Sequence, residues 1–198
     1  MGTSRISAVC VYCGSSMGVS PHYAETAFET GRQIALAGKT LVYGGAQVGL
    51  MGRVADGALS EGGKVIGVLP EALAAKELAH TGLTKLHIVG SMHERKAMMN
   101  DLSDAFITLP GGAGSMEEMF EIWTWAQLGY HTKPSGVLNA GGYYAPLLTM
   151  LDRMVSEGFL KQDMRDILKV AETPQGLLDA FESYEAPKVM KWVTKDQL

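Results

Sequence analysis

The sequence predicts an α/β chain organised around one doubly wound parallel sheet, on three observations. Short apolar runs of strand length recur and alternate with longer segments carrying apolar residues at helical spacing. Polar or glycine-rich turns follow the apolar runs directly, as at Cys13-Gly14-Ser15-Ser16, Gly44-Gly45 and Pro110-Gly111-Gly112. No linker, repeat or low-complexity stretch interrupts the alternation, and 198 residues suit a single domain spanning 1–198. Strand–helix alternation requires a parallel sheet covered on both faces, and right-handed crossovers make it Rossmann-like.

The elements follow in order. Ile6 to Tyr12 is a continuous apolar strand, closed by Cys13-Gly14-Ser15-Ser16. A helix runs from Pro21, a residue suited to a first turn, to Ala37, with Gly38 as its stop. Thr40 to Tyr43 is the second strand. The helix beyond Gly49 places Met51, Val54, Ala55, Ala58 and Leu59 at helical spacing and ends at Glu61-Gly62-Gly63. Lys64 to Leu69 is the third strand, stopped by Pro70, and Glu71 to Gly82 reads as a weaker, partly helical crossover.

Leu86 to Val89 is the fourth strand, and Ser91-Met92-His93-Glu94 is a capping pattern that opens a helix to Leu102. Ala105 to Leu109 is the fifth strand. Beyond its glycine loop, Ser115-Met116-Glu117-Glu118 repeats the capping pattern and starts a long helix. Pro134 to Leu138 is the sixth strand, followed by a helix from Tyr144 to Glu157. Ile167 to Ala171 makes a short last strand and Pro174 to Tyr184 the last helix, before a polar tail from about 185. In the usual order 3-2-1-4-5 the chain reverses between strands one and four. That reversal puts a ligand crevice between Cys13–Ser16 and the segment from Ser91 to Lys96, with the Pro110 loop beside it.

Composition narrows the function. The chain is 46% hydrophobic and 19% charged, as in ordinary globular proteins. A net charge of −4 and a pI near 5.7, with no basic run, disfavour a nucleic-acid partner. No apolar run reaches spanning length and no signal segment precedes Ile6, so the expectation is a soluble cytoplasmic protein without a membrane partner. Cys10 and Cys13 form a C-x-x-C without a second ligand pair and read as reduced thiols. The five histidines show no ligand spacing, so no metal is expected.

The candidate site starts from the glycines. An apolar strand, Pro110-Gly111-Gly112-Ala113-Gly114 and a helix start at Ser115 present bare N–H groups and a positive helix end to an anion, most simply a phosphate. Gly44, Gly45 and Gly49 form a second glycine loop able to add N–H groups. The pattern is not Gly-x-Gly-x-x-Gly and contains no Gly-Lys-Ser/Thr, which disfavours a dinucleotide dehydrogenase and a P-loop ATPase. Arg95 shares a helical stripe with Met92, Met99 and Leu102 and therefore faces an anion or a structural ion pair, while Lys96 looks outward. Glu118 completes a capping box or, on a stripe with Ile122 and Trp125, serves as an acid one group beyond the phosphate. Glu117 and Glu121 share that possibility on spacing alone. The same helix is apolar nearly all round, which favours packing against a second subunit and hence a homodimer.

Three motifs in order, Gly44-Gly-Ala-Gln-Val-Gly-Leu-Met-Gly52, Met92-His-Glu-Arg-Lys96 and Pro110-Gly-Gly-Ala-Gly-Ser-Met-Glu-Glu118, resemble the LOG family of cytokinin-activating phosphoribohydrolases. The resemblance runs from Ile6 to about Leu160 and includes Trp123-Thr-Trp-Ala-Gln-Leu-Gly129. Ser115 stands where the family usually has threonine, and Ala113 where many members have tyrosine. The resemblance implies hydrolysis of the N-glycosidic bond of AMP or an N6-isoprenoid AMP, giving free base and ribose 5-phosphate. It implies Glu118 and Arg95 as catalytic residues. It places the 5′-phosphate on Gly112, Ala113, Gly114, Ser115 and the loop of Gly44 and Gly45, gives Gly111, Met116, Glu117 and Ser15 as further substrate-binding residues, and calls for no metal or organic cofactor. Lys96, Thr124 and Glu77 line the site by family position. Members often carry a lysine decarboxylase label, for which no Schiff-base lysine pattern is present. The rival class is a nucleotide-binding carrier or sensor on the same scaffold that does not hydrolyse.

Overall fold

All seven apolar runs form strands. A computed structural model of the chain describes residues 6–74 and 79–187. The strands are β1 (Ala8–Tyr12), β2 (Thr40–Tyr43), β3 (Val65–Pro70), β4 (Lys85–Val89), β5 (Ala105–Thr108), β6 (Ser135–Leu138) and β7 (Leu168–Ala171). They pair in parallel in the order β4-β3-β2-β1-β5-β6-β7. Successive residues point to opposite faces. Val9, Val11 and Cys13 therefore join one core with Leu41, Tyr43, Ile107 and Leu109, while Cys10 and Tyr12 join another with Val42, Val68 and Phe106.

Helices α1 (Pro21–Leu36), α2 (Gly49–Ser60) and α8 (Pro174–Glu182) cover the first face. The second is covered by α4 (Met92–Asp101), α5 (Ala113–Gln127) and α6 (Ala145–Ser156). Two single-turn helices, α3 (Glu71–Ala74) and α7 (Gln162–Arg165), complete the set. Of the crossover expected from Glu71 to Gly82, α3 is the helical part among the described residues, and α7 lies where the sequence suggested no element. Within the second face α5 sits between two clusters. Ile122 packs on the Phe106 side, and Met119, Trp123 and Ala126 pack against Val137, Tyr144 and Leu151. Its nearly continuous apolar surface is thus largely buried within the chain, at about 1.5–3 kcal/mol per large side chain removed from water.

The strand order corrects one expectation. The reversal lies between β1 and β5, not between strands one and four, because β4 continues the outward winding and pairs with β3. Burial explains the choice: β5 is buried at every residue, as a central strand must be, whereas β4 leaves Lys85 and Ile88 exposed, as an edge strand can. The loops after β1 and β5 consequently lie side by side, with Gly14 N donating to Pro110 O at 3.1 Å. The α2 start joins them through Leu50 N, which donates to Gly14 O at 3.0 Å. Among the described residues no helix is long and apolar enough to cross a membrane.

Candidate active site

Helix α4 begins where the sequence indicates. Ser91 Oγ accepts from Glu94 N at 3.1 Å, and the Glu94 carboxylate turns back to accept from Gly90 N at 2.8 Å. One turn in, Arg95 lies along the carboxyl ends of the sheet with 8% of its surface exposed. Its Nε donates to Val68 O at 3.2 Å and its Nη2 to Gly44 O at 3.4 Å, at the ends of β3 and β2. Its Nη1 reaches Glu118 Oε1 at 4.0 Å. Although α4 follows the edge strand, the length of this side chain brings its charge to the crevice.

Helix α5 begins earlier than expected. Gly112 is its N-cap and Ala113 its first residue, so Ser115 lies inside the first turn, buried, and does not cap. The capping pattern at Ser115–Glu118 therefore goes unused, because backbone rather than a hydroxyl forms this helix end. Glu118 is left free of a capping role, and its side chain is 12% exposed. Burial pushes its carboxyl up to about 7, against the pull of Arg95 and Lys96 and with a further push from Glu117 and Glu121.

These elements enclose a cavity of about 300 Å³. Its wall brings together Ser15, Gly44, Arg95, Gly112, Ala113, Gly114, Ser115 and Glu118 of the expected residues. The first amides of α5, from Gly112 to Gly114, have no intrahelical acceptor, and all three residues line the cavity. The others stand off this wall. Gly45 packs on Leu69 and Leu86, and Gly111 lies across the loop, beside a second cavity. Lys96 Nζ bridges Glu117 at 2.6 Å and Glu121 at 2.9 Å, tying α4 to α5. Met116 is half-buried beside the third core cluster, Thr124 is exposed on α5, and Glu77 falls outside the described residues.

Sequence reasoning missed the contributions of Tyr12, Met51 and Met99 to the wall, whereas Gly14 and Met92 come from the two segments expected at the crevice. Position at the carboxyl end of β1, next to the reversal, was the available signal for Tyr12. Two tyrosines were missed altogether: Tyr143 and Tyr144, just before α6, donate to Gly111 O and Leu109 O, each at 2.6 Å. His80 is held by Asp56 at 3.1 Å and His131 by Ile122 O at 2.9 Å, and both are structural contacts. Among the described residues no group of three or more His, Cys, Asp or Glu side chains is arranged to hold a metal.

Comparison with known proteins identifies the family. The model of the family described as "Possible lysine decarboxylase" matches residues 51–181. A cytokinin riboside 5′-monophosphate phosphoribohydrolase of Rhodococcoides fascians is 48% identical over 177 residues, covering 89% of each chain. The enzyme of that name from Oryza sativa subsp. japonica, LOG, is 44% identical over 195 residues, 98% of this chain and 81% of that one. The molybdenum cofactor binding protein of Rippkaea orientalis, at 22% identity, shares the fold, with a TM-score of 0.68 over 91% of this chain and 98% of that one. With near-half identity along almost its whole length and the family model matched over most of it, the chain belongs to the LOG family.

Proposed function

We propose that the protein hydrolyses the N-glycosidic bond of a nucleoside 5′-monophosphate, AMP or an N6-isoprenoid AMP, to free base and ribose 5-phosphate, and so activates cytokinins. One observation carries the reading: the buried Arg95–Glu118 pair occupies the cavity whose other end is the bare N-terminus of α5. The names of the relatives support it. The 5′-phosphate sits on the amides of Gly112, Ala113 and Gly114, with the hydroxyls of Ser115 and Ser15 beside it. Glu118, one turn further into α5, then meets the ribose. As the glycosidic bond lengthens, positive charge develops on the sugar, and the Glu118 carboxylate stabilises it and takes a proton from the attacking water. The hydroxyl adds to C1′, the bonding pair leaves with the base, and the proton taken up by Glu118 passes on to the base, which regenerates the carboxylate.

Arg95 cannot be the proton donor, since a guanidinium does not release its proton near neutrality. It offsets negative charge on the departing base and holds Glu118 in place. Lys96 and Glu117, off the cavity wall, act through the field at Glu118. No step calls for a metal or an organic cofactor. Among the described residues no lysine lines the cavity, which leaves a Schiff-base decarboxylase without its nucleophile there.

A carrier that only holds the nucleotide is the weaker reading. Phosphate binding gains nothing from a buried carboxylate, which repels the ligand. The reading places the protein in the cytoplasm, in keeping with its unpaired buried cysteines, without nucleic-acid or membrane partners. A homodimer is proposed too. Its support is the edge strand β4, which leaves the apolar Ile88 53% exposed. Light scattering on the purified chain decides that point: a monomeric mass refutes it.

The deciding experiment is chromatography of free base released from AMP and isopentenyl-AMP by the wild type, Glu118→Gln and Arg95→Ala. Release by the wild type and its loss in both variants is expected. No release from either nucleotide, with saturable AMP binding, puts the carrier reading ahead.

A further inference from the structure

Four consecutive carbonyls of the loop after β5 are each taken by a donor. Leu109 O accepts from Tyr144 Oη at 2.6 Å and Pro110 O from Gly14 N at 3.1 Å. Gly111 O accepts from Tyr143 Oη at 2.6 Å and Gly112 O from Met116 N at 3.2 Å. In a trans peptide the carbonyl and the following N–H point in opposite directions. Engaging a carbonyl on one side of the loop therefore fixes a donor on the other. For Leu109 the following residue is Pro110, which has no N–H, so Tyr144 places the loop without aiming a donor. For Gly111 the following N–H belongs to Gly112.

The two sides of that peptide face different spaces. Tyr143 and Gly111 line a separate cavity of about 240 Å³ beside Tyr23 and Leu50. Gly112 also lines the active-site cavity, which Gly111 does not reach. With Tyr143 bonded to the Gly111 carbonyl, the Gly112 N–H points away from Tyr143, the direction that a phosphate cradle at the start of α5 requires.

A peptide between two glycines is the one most easily turned over, because both flanking torsions are unrestricted by a side chain. Gly112 has φ −88° and ψ −159°. Turning the peptide takes its φ to about +90°, a region open essentially to glycine alone. The turned peptide presents the Gly111 carbonyl oxygen to the cradle in place of an N–H, and so repels a phosphate.

We propose that Tyr143 is a positioning residue for phosphate recognition, locking the Gly111–Gly112 peptide with its N–H towards the ligand's 5′-phosphate. The proposal rests on the nucleoside monophosphate reading above. Tyr143 is suited to a reversible lock: the residue is 41% exposed, and its ring makes edge contacts to Tyr23 and Tyr144 with centroids 5.8 and 5.0 Å away. Phenylalanine keeps those ring contacts and removes only the hydroxyl.

Calorimetry on wild type and Tyr143→Phe with ribose 5-phosphate and adenosine, and with AMP in the inactive Glu118→Gln background, tests this, alongside steady-state kinetics on AMP and a thermal melt. The expected result is about a five- to tenfold loss of affinity for AMP and ribose 5-phosphate, the scale of one neutral hydrogen bond, with adenosine unaffected. KM for AMP rises by the same factor while kcat stays within roughly twofold, the signature of lost uniform binding. Unchanged affinity for both phosphates overturns the proposal, and so does a parallel loss for adenosine, which reports general loosening. A wild type that binds neither phosphate overturns both this proposal and the function above. A wild type that binds them without releasing base overturns the activity alone, and the affinity comparison still judges Tyr143.

Discussion

Arg95 and Glu118 stand at the outer limit of an ion pair, with Nη1 and Oε1 4.0 Å apart, while Nε and Nη2 of the same guanidinium are turned to the carbonyls of Val68 and Gly44. The cation is fixed by backbone, so it does not collapse onto the carboxylate. Glu118 is left incompletely neutralised in a buried place, which is why its carboxyl is pushed up to about 7. A base with that value is ionised about half the time at neutrality and has real proton affinity.

The pH profile of kcat/KM for AMP should therefore rise with pH on a limb centred near 7, as Glu118 ionises. Glu118→Gln should lower kcat by about 10²–10⁴-fold and abolish that limb. A profile flat from about pH 5 to about pH 9 would remove Glu118 from the role of base.

Stability should show the same group with a definite sign. The folded value, about 7, lies above the ordinary carboxylate value of 4.5, so folding favours the protonated form. This contribution is fully present below the unfolded value and is lost as pH rises through the folded value. Opposing charges at Arg95 and Lys96, and like charges at Glu117 and Glu121, are already included in that balance. Glu118→Gln should thus be no more stable than wild type at about pH 4 and more stable by about 2–3 kcal/mol at about pH 8. Urea melts at the two pH values measure the difference, and a gain independent of pH would contradict it.

Lys96 tunes this site from outside the cavity. Its ammonium, 11% exposed, is shared between Glu117 and Glu121 and lowers the Glu118 value. Lys96→Met leaves two unscreened carboxylates beside Glu118, so the acid limb of kcat/KM should move to higher pH. Binding of ribose 5-phosphate, held at the other end of the cavity, should change much less. A larger loss of ribose 5-phosphate affinity than of catalysis would instead make Lys96 a direct phosphate ligand.

Much of this was legible in the sequence because it depends on local chemistry. All seven strands were marked by apolar runs, and the Ser91–Glu94 cap by its spacing. Arg95 and Glu118 were marked by charge within apolar stripes. The strand order was not legible, because a crossover may return to either side of the sheet and only burial of β5 against exposure of β4 decides it. Nor was the α5 start, where Ser115-x-x-Glu118 matches a capping box that the glycine-capped backbone preempts. Tyr144 read only as the start of a helix and Tyr143 drew no reading, since what matters is where their hydroxyls reach across 35 and 32 residues of sequence.

Gly44 gives the sharpest test of how Arg95 is held. Its backbone torsions are ordinary, so alanine is not strained there by conformation. A Cβ at this position would nevertheless fall within contact of Arg95 Nη2 and 3.0 Å from Met51 Sδ. Gly44→Ala should therefore fold, at a cost of about 1–3 kcal/mol for overpacking, while swinging the guanidinium off the Gly44 carbonyl and away from Glu118. We expect kcat/KM for AMP to fall by about tenfold or more, since small misplacements of a working group are costly. Gly112→Ala is the contrasting substitution: its Cβ meets no protein atom within 4 Å, so any loss of activity there reports close approach of the ligand. Wild-type kinetics in Gly44→Ala would show that catalysis does not need Arg95 where the structure holds it.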